Sequence, residues 1–289
     1  MALVIVLWMV AALLVTATGV VYAVRGEVRS VSSFREMASA AALGDAGILL
    51  AARELAGNPR QENRLRQFEA GFEQAAIGVR VVPLTGLVDL NAAPEALLTE
   101  LIAVAGGVDR GRASMLAQRI IDWRDTDEVP LPQGAEDPAY AAAGSPFRTR
   151  GGPFESPEDL LQVLGMDFDL YSAIRPLITV HAARGAGRVD PAAAPVPVLQ
   201  VLASGNAHVA AEYAASREAN GALADATRFP AAYIARQQPS SRYLIEASVR
   251  LSNGAFLVSR RVLDLAAPAE GLPWRTMWAE RVVEPDAGA

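Results

Sequence analysis

Residues 1–24 read MALVIVLWMVAALLVTATGVVYAV, a run without one charged side chain. About 20 apolar residues at a rise of 1.5 Å each match a hydrocarbon core of roughly 30 Å, so the run is long enough to span a bilayer. A cleaved secretory signal has a basic start and a shorter apolar stretch; here the start is uncharged and the stretch too long. A helix that is apolar all round belongs in lipid, not in a soluble core. Helical character continues past the run. Residues 25–56 hold no proline and are rich in helix formers, with the next breakers at Gly57, Asn58 and Pro59. Val24, Val28, Val31, Phe34, Ala38, Ala42 and Leu49 keep a helical period and predict the apolar face of a rod that begins in lipid and leaves it. Arg25, Arg29 and Arg35 follow the span, an asymmetry that places this side in the cytoplasm unless a basic leader precedes the run.

The remaining chain brings the total to 289 residues, ample for a sizeable core in one large domain or two small ones. A net charge of -6 argues against a nucleic-acid surface, which needs a basic stripe. The absence of cysteine excludes thiol catalysis, disulfide scaffolding and Cys-based zinc sites. His181 and His208 are the two histidines. No Ser-His-Asp arrangement, HExxH or phosphate-binding Gly-rich loop is recognisable, and no pair of acids is marked out for glycoside hydrolysis. The sequence is therefore not that of an enzyme.

Residues 74–91 predict a short strand, a turn at Pro83 and Gly86, and a second short strand. Next, VDLNAAPEALL at 88–98 predicts a helix capped by Asn91 with Pro94 in its first turn, ended by Gly106-Gly107. Asp109 then caps a second helix running to about Trp123. The phrase returns as VDPAAAPVPVL at 189–199, 101 residues on, and marks two related helical modules. FESPEDLLQVLGM at 154–166 adds a helix with Ser156 as N-cap, Pro157 at its first position and Gly165 as its stop. Such pieces look like helix-hairpin-helix or SAM-like units. Gly106-Gly107 with Arg110 and Arg112 is a partial match to their DNA-binding form.

Between 122 and 137, Asp122, Asp125, Asp127, Glu128, Glu136 and Asp137 face only Arg124, with Pro130, Pro132 and Gly134 folding the loop. Hard oxygen ligands from a loop suit calcium, and a merely solvated acidic turn is the other reading; the spacing is not that of an EF-hand. Asp122 belongs to the end of the preceding helix. Towards the C-terminus, 243–251 and 255–264 alternate on either side of Ser252-Asn253-Gly254, a hairpin signal. Pairing across it predicts Tyr243, Ile245, Val249 and Leu251 on one face with Phe256, Val258 and Val262. Residues 274–283 read as a third strand, with Trp274, Met277 and Trp278 packing at its edge.

ALVIVLWMVAALL at 2–14 resembles the mature N-terminus of a type IV pilin-like protein. LNAAPEALL, IIDWRDTDEVPLPQGAED with Tyr140, PFESPEDLLQVLGM and LYSAIRPLITV, in order over 90–180, resemble the helical insertion of one such family, the minor pseudopilins called protein K of the type II secretion pathway. The resemblance implies an α+β, type IV pilin-like fold: a long N-terminal helix on an antiparallel sheet, with a large inserted all-α domain of SAM-like or helix-hairpin-helix-like units. It divides the chain into a transmembrane helix at 1–24, pilin-like helix and first strands at 25–88, an inserted domain at 89–180, a second helical module at 181–239 and a C-terminal sheet at 240–289. Met1, Ile5, Leu7, Trp8, Leu13 and Leu14 stand on the membrane and assembly helix, where Ile5 replaces the glutamate usual in pilins. Lacking that carboxylate, the subunit cannot pair with the N-terminal amine of one above, which suits a tip cap.

Implied further are calcium held by Asp125, Asp127, Glu136 and Asp137 with backbone carbonyls, and processing and N-terminal methylation by prepilin peptidase. The implied partners are the minor pseudopilins I, J and H, at the inner membrane, with the C-terminal part in the periplasm and no nucleic acid. A membrane-anchored DNA-uptake receptor is the alternative.

Overall fold

Alternation of apolar and polar residues at 242–250 and 256–264 produces two strands, β5 (Arg242–Arg250) and β6 (Phe256–Asp264), paired antiparallel. The computed structural model describes residues 2–57, 63–72, 75–182, 187–220, 224–236, 239–269 and 271–286, with backbone alone for 19–30. Three further strands, β1 (Arg66–Phe72), β2 (Ala75–Pro83) and β7 (Arg275–Glu284), complete an antiparallel sheet of order β1-β2-β5-β6-β7. Strands from before residue 84 and after residue 241 thus share one sheet, as the sequence led us to expect.

The hairpin register corrects the expected faces. Leu251 donates to Ala255 across a three-residue loop in which Gly254 takes φ 88°, so Tyr243 stands opposite Leu263 and Val249 opposite Leu257. A two-residue Asn-Gly turn shifts this pairing by one residue, and a one-residue slip moves every side chain to the other face. Tyr243, Ile245, Val249 and Leu251 therefore share a core with Leu257, Leu263 and Trp274. The opposite face carries Val82, Leu244, Val262 and Trp278 in one cross-strand row, and Arg80, Glu246, Arg260 and Glu280 in the next.

One helix, α1 (Ala2–Gly57), runs unbroken from the apolar run onto the sheet and ends at the expected breaker. Its buried side is Ala40, Ile48, Ala51, Ala52 and Leu55. Val31, Phe34, Ala38, Ala42 and Leu49, expected to face the core, are exposed instead; Val24 and Val28 lie outside the described side chains. Small residues decide the facing. A methyl group added at Gly47 would come within 2.8 Å of Ile77, so the helix backbone sits close on β2 only with this side inward. Polar ties flank the contact: Asp45 accepts from Arg261 (2.7 Å) and Arg281 (2.9 Å), and Glu36 accepts from the Ser252 hydroxyl at 2.9 Å.

Between β2 and β5 the chain builds a helical body. A 3-10 turn at Leu84–Gly86 leads to β3 (Val88–Asp89), which pairs in parallel with β4 (Ile178–Thr179). Helices α2 (Glu95–Gly106), α3 (Arg110–Arg124), α4 (Asp137–Ala142) and α5 (Phe168–Ile174) lie between these two strands. Asp109 caps α3 by accepting from the Arg112 amide at 3.0 Å, as expected. Asn91 does not cap α2: the carboxylate of Asp89 takes its amide in a turn, and the helix starts at Glu95 after Pro94. The Asn91 side chain instead pairs with the Phe154 backbone and donates to Val180, joining three segments. Residues 157–162 form a 3-10 helix in place of the expected α-helix; Asp159 accepts the backbone amides of Glu155 and Ser156, which holds the turn tight.

The repeated phrase is a repeated structure. Asp89 accepts from the amide of Asn91 at 2.9 Å, and Asp190 from that of Ala192 at 3.0 Å. Each turn leads through a proline into a helix, α2 in one copy and α6 (Val196–Leu202) in the other. An arginine from the helix that follows then clamps the same carbonyls. Arg124 donates to Leu90 and Ala93, while Arg217 of α7 (Ala207–Asn220) donates to Pro191 and Ala194. The copies also interlock. A methyl group at Gly86 would collide with the Ala193 carbonyl, and one at Gly187 would come within 2.6 Å of the Ala92 carbonyl oxygen.

Arg217 is 6% exposed, so removing its guanidinium leaves the Ala194 carbonyl without its donor and the Pro191 and Ala192 carbonyls with one long backbone bond each. Arg217→Met is expected to lower stability by about 2–4 kcal/mol; an unchanged thermal melt of the full chain would refute the clamp. Burial, opposed by the Asn91 amide, Arg124 and Arg242, pushes the Asp89 carboxyl from its ordinary 3.8 up to about 6. Between those pH values the folded chain keeps a proton that the unfolded chain has released. Stability therefore falls as pH rises through the window, by on the order of 2–3 kcal/mol. Asp89→Asn keeps the acceptor without the titration, and its melting profile from about pH 4 to 6 should fall less steeply than that of the wild type.

Candidate metal loop and assembly helix

Arg124 closes α3, and the chain leaves it through the acidic loop that returns at α4. Asp122, in the last turn of α3, is fully buried and faces the loop, where both its oxygens accept from the Leu131 amide (3.3 and 3.2 Å). Asp125 is the C-cap residue; one of its carboxylate oxygens, Oδ1, is buried without a hydrogen-bond partner. Glu136 is 4% exposed, and its Oε1 is likewise buried without one. Burial raises the carboxyl pKa of Asp122, Asp125 and Glu136, and each is raised further by the charge of Asp127. Three of the four expected ligands, Asp125, Asp127 and Glu136, therefore act on one another electrostatically, together with Asp122. Asp137 turns aside and accepts from the backbone and hydroxyl of Thr149, both at 2.9 Å.

Two unsatisfied buried oxygens amid like charges are the chemistry that a hard cation relieves. Among the described residues, however, no group of three or more acidic or histidine side chains is arranged to hold a metal ion. The donor set fits calcium; the side chains do not meet at one point. Arg124 offsets the loop only in part: its guanidinium donates to the Leu90 and Ala93 carbonyls, and its charge lowers the Asp125 carboxyl less than burial, Asp127 and Asp122 raise it. Asp122, read as belonging to the helix end, is the residue whose part the linear spacing concealed. It lies three residues before Asp125 on a helix, a separation that turns its carboxylate to the same side.

At the other end of the molecule residues 2–18 of α1 are exposed. Ile5, Leu7, Trp8, Leu13 and Leu14 are each more than 60% exposed and touch nothing in the folded head. Met1 lies outside the described residues, as do the side chains of residues 19–24, the last part of the expected span. Among the described residues no helix is long and apolar enough to cross a membrane. The hairpin joining α2 and α3 carries the two arginines of the DNA-binding alternative. Arg110 makes two bonds to Glu100 (2.7 and 3.1 Å), and Arg112 pairs with Asp167 at 2.7 Å, so carboxylates already occupy both.

Residues 84–183 match the family model described as type II secretion system (T2SS), protein K. A type II secretion system protein K of Pectobacterium carotovorum is 36% identical over 72 residues, 25% of this chain and 22% of the relative. Another, from Klebsiella pneumoniae, is 33% identical over 89 residues, 31% of this chain and 27% of the relative. The aligned stretches thus span about a quarter of those relatives' length. A chain in the crystal structure of the GspK-GspI-GspJ complex from enterotoxigenic Escherichia coli shares the fold at 18% identity, with a TM-score of 0.59 over 86% of this chain and 98% of that one. The α+β, pilin-like architecture expected from the sequence is therefore present, and the chain, through the domain at 84–183, is related to protein K of the type II secretion system.

Proposed function

We propose that this chain is a minor pseudopilin that caps the tip of a type II secretion pseudopilus and so supports protein export across the outer membrane. The observation that carries the reading is the placement of the protein K domain. It leaves from the end of β2 and the chain returns at β5, two neighbouring strands of the sheet beneath α1. A body inserted there adds bulk to the globular head of a pilin-like subunit while leaving the apolar half of α1 free to pack with other helices. Residues 1–24 would anchor the chain in the inner membrane with the head in the periplasm, before extraction into the pseudopilus. Pseudopilins of types I and J are the partners, by analogy with the complex named for the structural relative, and the resemblance to protein K adds type H below them. Prepilin peptidase is the processing enzyme on this reading, and assembly, not catalysis, is the activity.

The DNA-receptor alternative is disfavoured by charge. From residue 90 to 240 acidic side chains outnumber basic ones eighteen to twelve, where phosphate binding needs the reverse. Calcium, held through Asp125, Asp127 and Glu136, and through Asp137 once it leaves Thr149, would tie the acidic loop to α3 and supply the positive charge that the buried oxygens lack.

Full-length protein is expected to co-purify with I- and J-type pseudopilins and to label only filament ends; label spread evenly along the shaft would refute the cap. Chelation should lower the melting temperature and added calcium restore it, while Glu136→Gln should blunt the response. A melt indifferent to both treatments removes the metal.

A further inference from the structure

The half of α1 that lies on the sheet has a second apolar face. Val31, Ala38, Ala42 and Leu49 recur at spacings of seven and four residues, which sets them in one row along a helix. All four are exposed, and Phe34 (74% exposed) and Leu50 (53%) flank them. The opposite side, with Ala40, Ile48, Ala51 and Ala52, is the one buried on the sheet. A helix that had only to cover the sheet would need apolar residues on that side alone.

Charge is divided between the two sides as well. Residues 31–57 hold three carboxylates, and each is already bonded to the sheet or its loops. Glu36 accepts from the Ser252 hydroxyl (2.9 Å), Asp45 from Arg261 and Arg281 (2.7 and 2.9 Å), and Glu54 pairs with Arg66 (2.8 Å). The two arginines of the stretch, Arg35 and Arg53, stand four residues after Val31 and Leu49, in the exposed row and near its ends. Among the described residues neither is paired with a carboxylate. Along the helix axis they are about 27 Å apart. The outward face is therefore apolar and cationic, with no free anion of its own.

That charge pattern selects the occupant. A second copy of the chain, run either way along the row, would set arginine against arginine. Lipid gains little from Ala38 and Ala42 at the centre of the row, where small side chains let another helix backbone come close. We infer that this face docks a helix of a different protein, one that brings an apolar row with a carboxylate near each end. Arg35 and Arg53 accept that helix and turn away a second copy of this chain. The inference concerns residues 31–53 and stands whether or not the chain caps a filament.

The test uses full-length protein in liposomes, with a charge-reversed copy of the chain as the probe. The sequence has no cysteine, so Ala42→Cys gives a single handle at the centre of the row. One species carries Ala42→Cys alone; the other adds Arg35→Glu and Arg53→Glu. A disulfide needs Cα atoms within roughly 7 Å, so mild oxidation reports contact through this face. The apolar run at 1–24 is common to every product, so the product ratio reads residues 31–53. The mixed link should exceed each same-charge link by roughly five-fold at low salt, and high salt should erase the preference. Leu49→Lys in both species should remove the link and leave the thermal melt unchanged. Random pairing at low salt overturns the selection by Arg35 and Arg53. No link between folded species, or a link that survives Leu49→Lys, overturns the docking face. Quenching of a bimane at residue 42 by brominated lipid gives the face to the bilayer and overturns it too.

Discussion

The pairing of β2 with β5 sets residues 77–83 beside 243–249, and every other placement in the molecule follows from it. The intervening chain must leave the sheet and return to it one strand away. For a flexible loop each doubling of length adds only about 0.6 kcal/mol of closure entropy, so a long excursion is tolerable if its ends are held. They are held firmly here. The 3-10 turn at 84–86 is buried, and the Thr85 carbonyl accepts from the Asp190 amide at 2.7 Å. On the return, Arg242 donates to the carbonyls of His181 and Ala182 while its other arm pairs with Asp264. The insertion is tied to the sheet at its stem and not merely tethered.

The same sheet fixes α1. Asp45 is gripped by arginines from β6 and β7, Glu54 pairs with Arg66 of β1, and Glu36 meets the β5–β6 loop. Individual exposed ion pairs are worth little. Here they flank a contact made close by Gly47, where displacement would also uncover Ile48, Ala51 and Ala52. A load applied to the apolar half of the helix is delivered to the β5–β6 loop through Glu36 and to the strands beneath Asp45 and Gly47.

Sequence patterning made much of this legible, for reasons that differ by element. The uncharged run, the breakers at 57–59 and the hairpin at 252–254 carry strong local signals, and each element formed where expected. The face of α1 was not legible, because small residues make up most of its buried side beside Ile48 and Leu55, while the large apolar residues Phe34 and Leu49 point outward. The hairpin faces turned on whether the turn holds two residues or three, a choice made by the backbone of Gly254. Strand β1, RQFEAGF, hides because it is an edge strand with four of its seven residues exposed and none buried. In the acidic loop the spacing pointed to Asp125, Asp127 and Glu136, but it could not show that Asp122 faces them or that Thr149 draws Asp137 away.

The reciprocal contact between the two helical modules has a geometric meaning. Gly86 of the first meets Ala193 of the second, and Gly187 of the second meets Ala92 of the first, each pair displaced by the 101-residue period. A patch that meets its own counterpart in this crosswise manner is the mark of isologous, two-fold association. The chain thus contains in covalent form what other proteins obtain by dimerisation. Because each half already shields the other's turn, neither leaves that patch open to a second molecule. At that patch the two-fold contact is already satisfied within one chain.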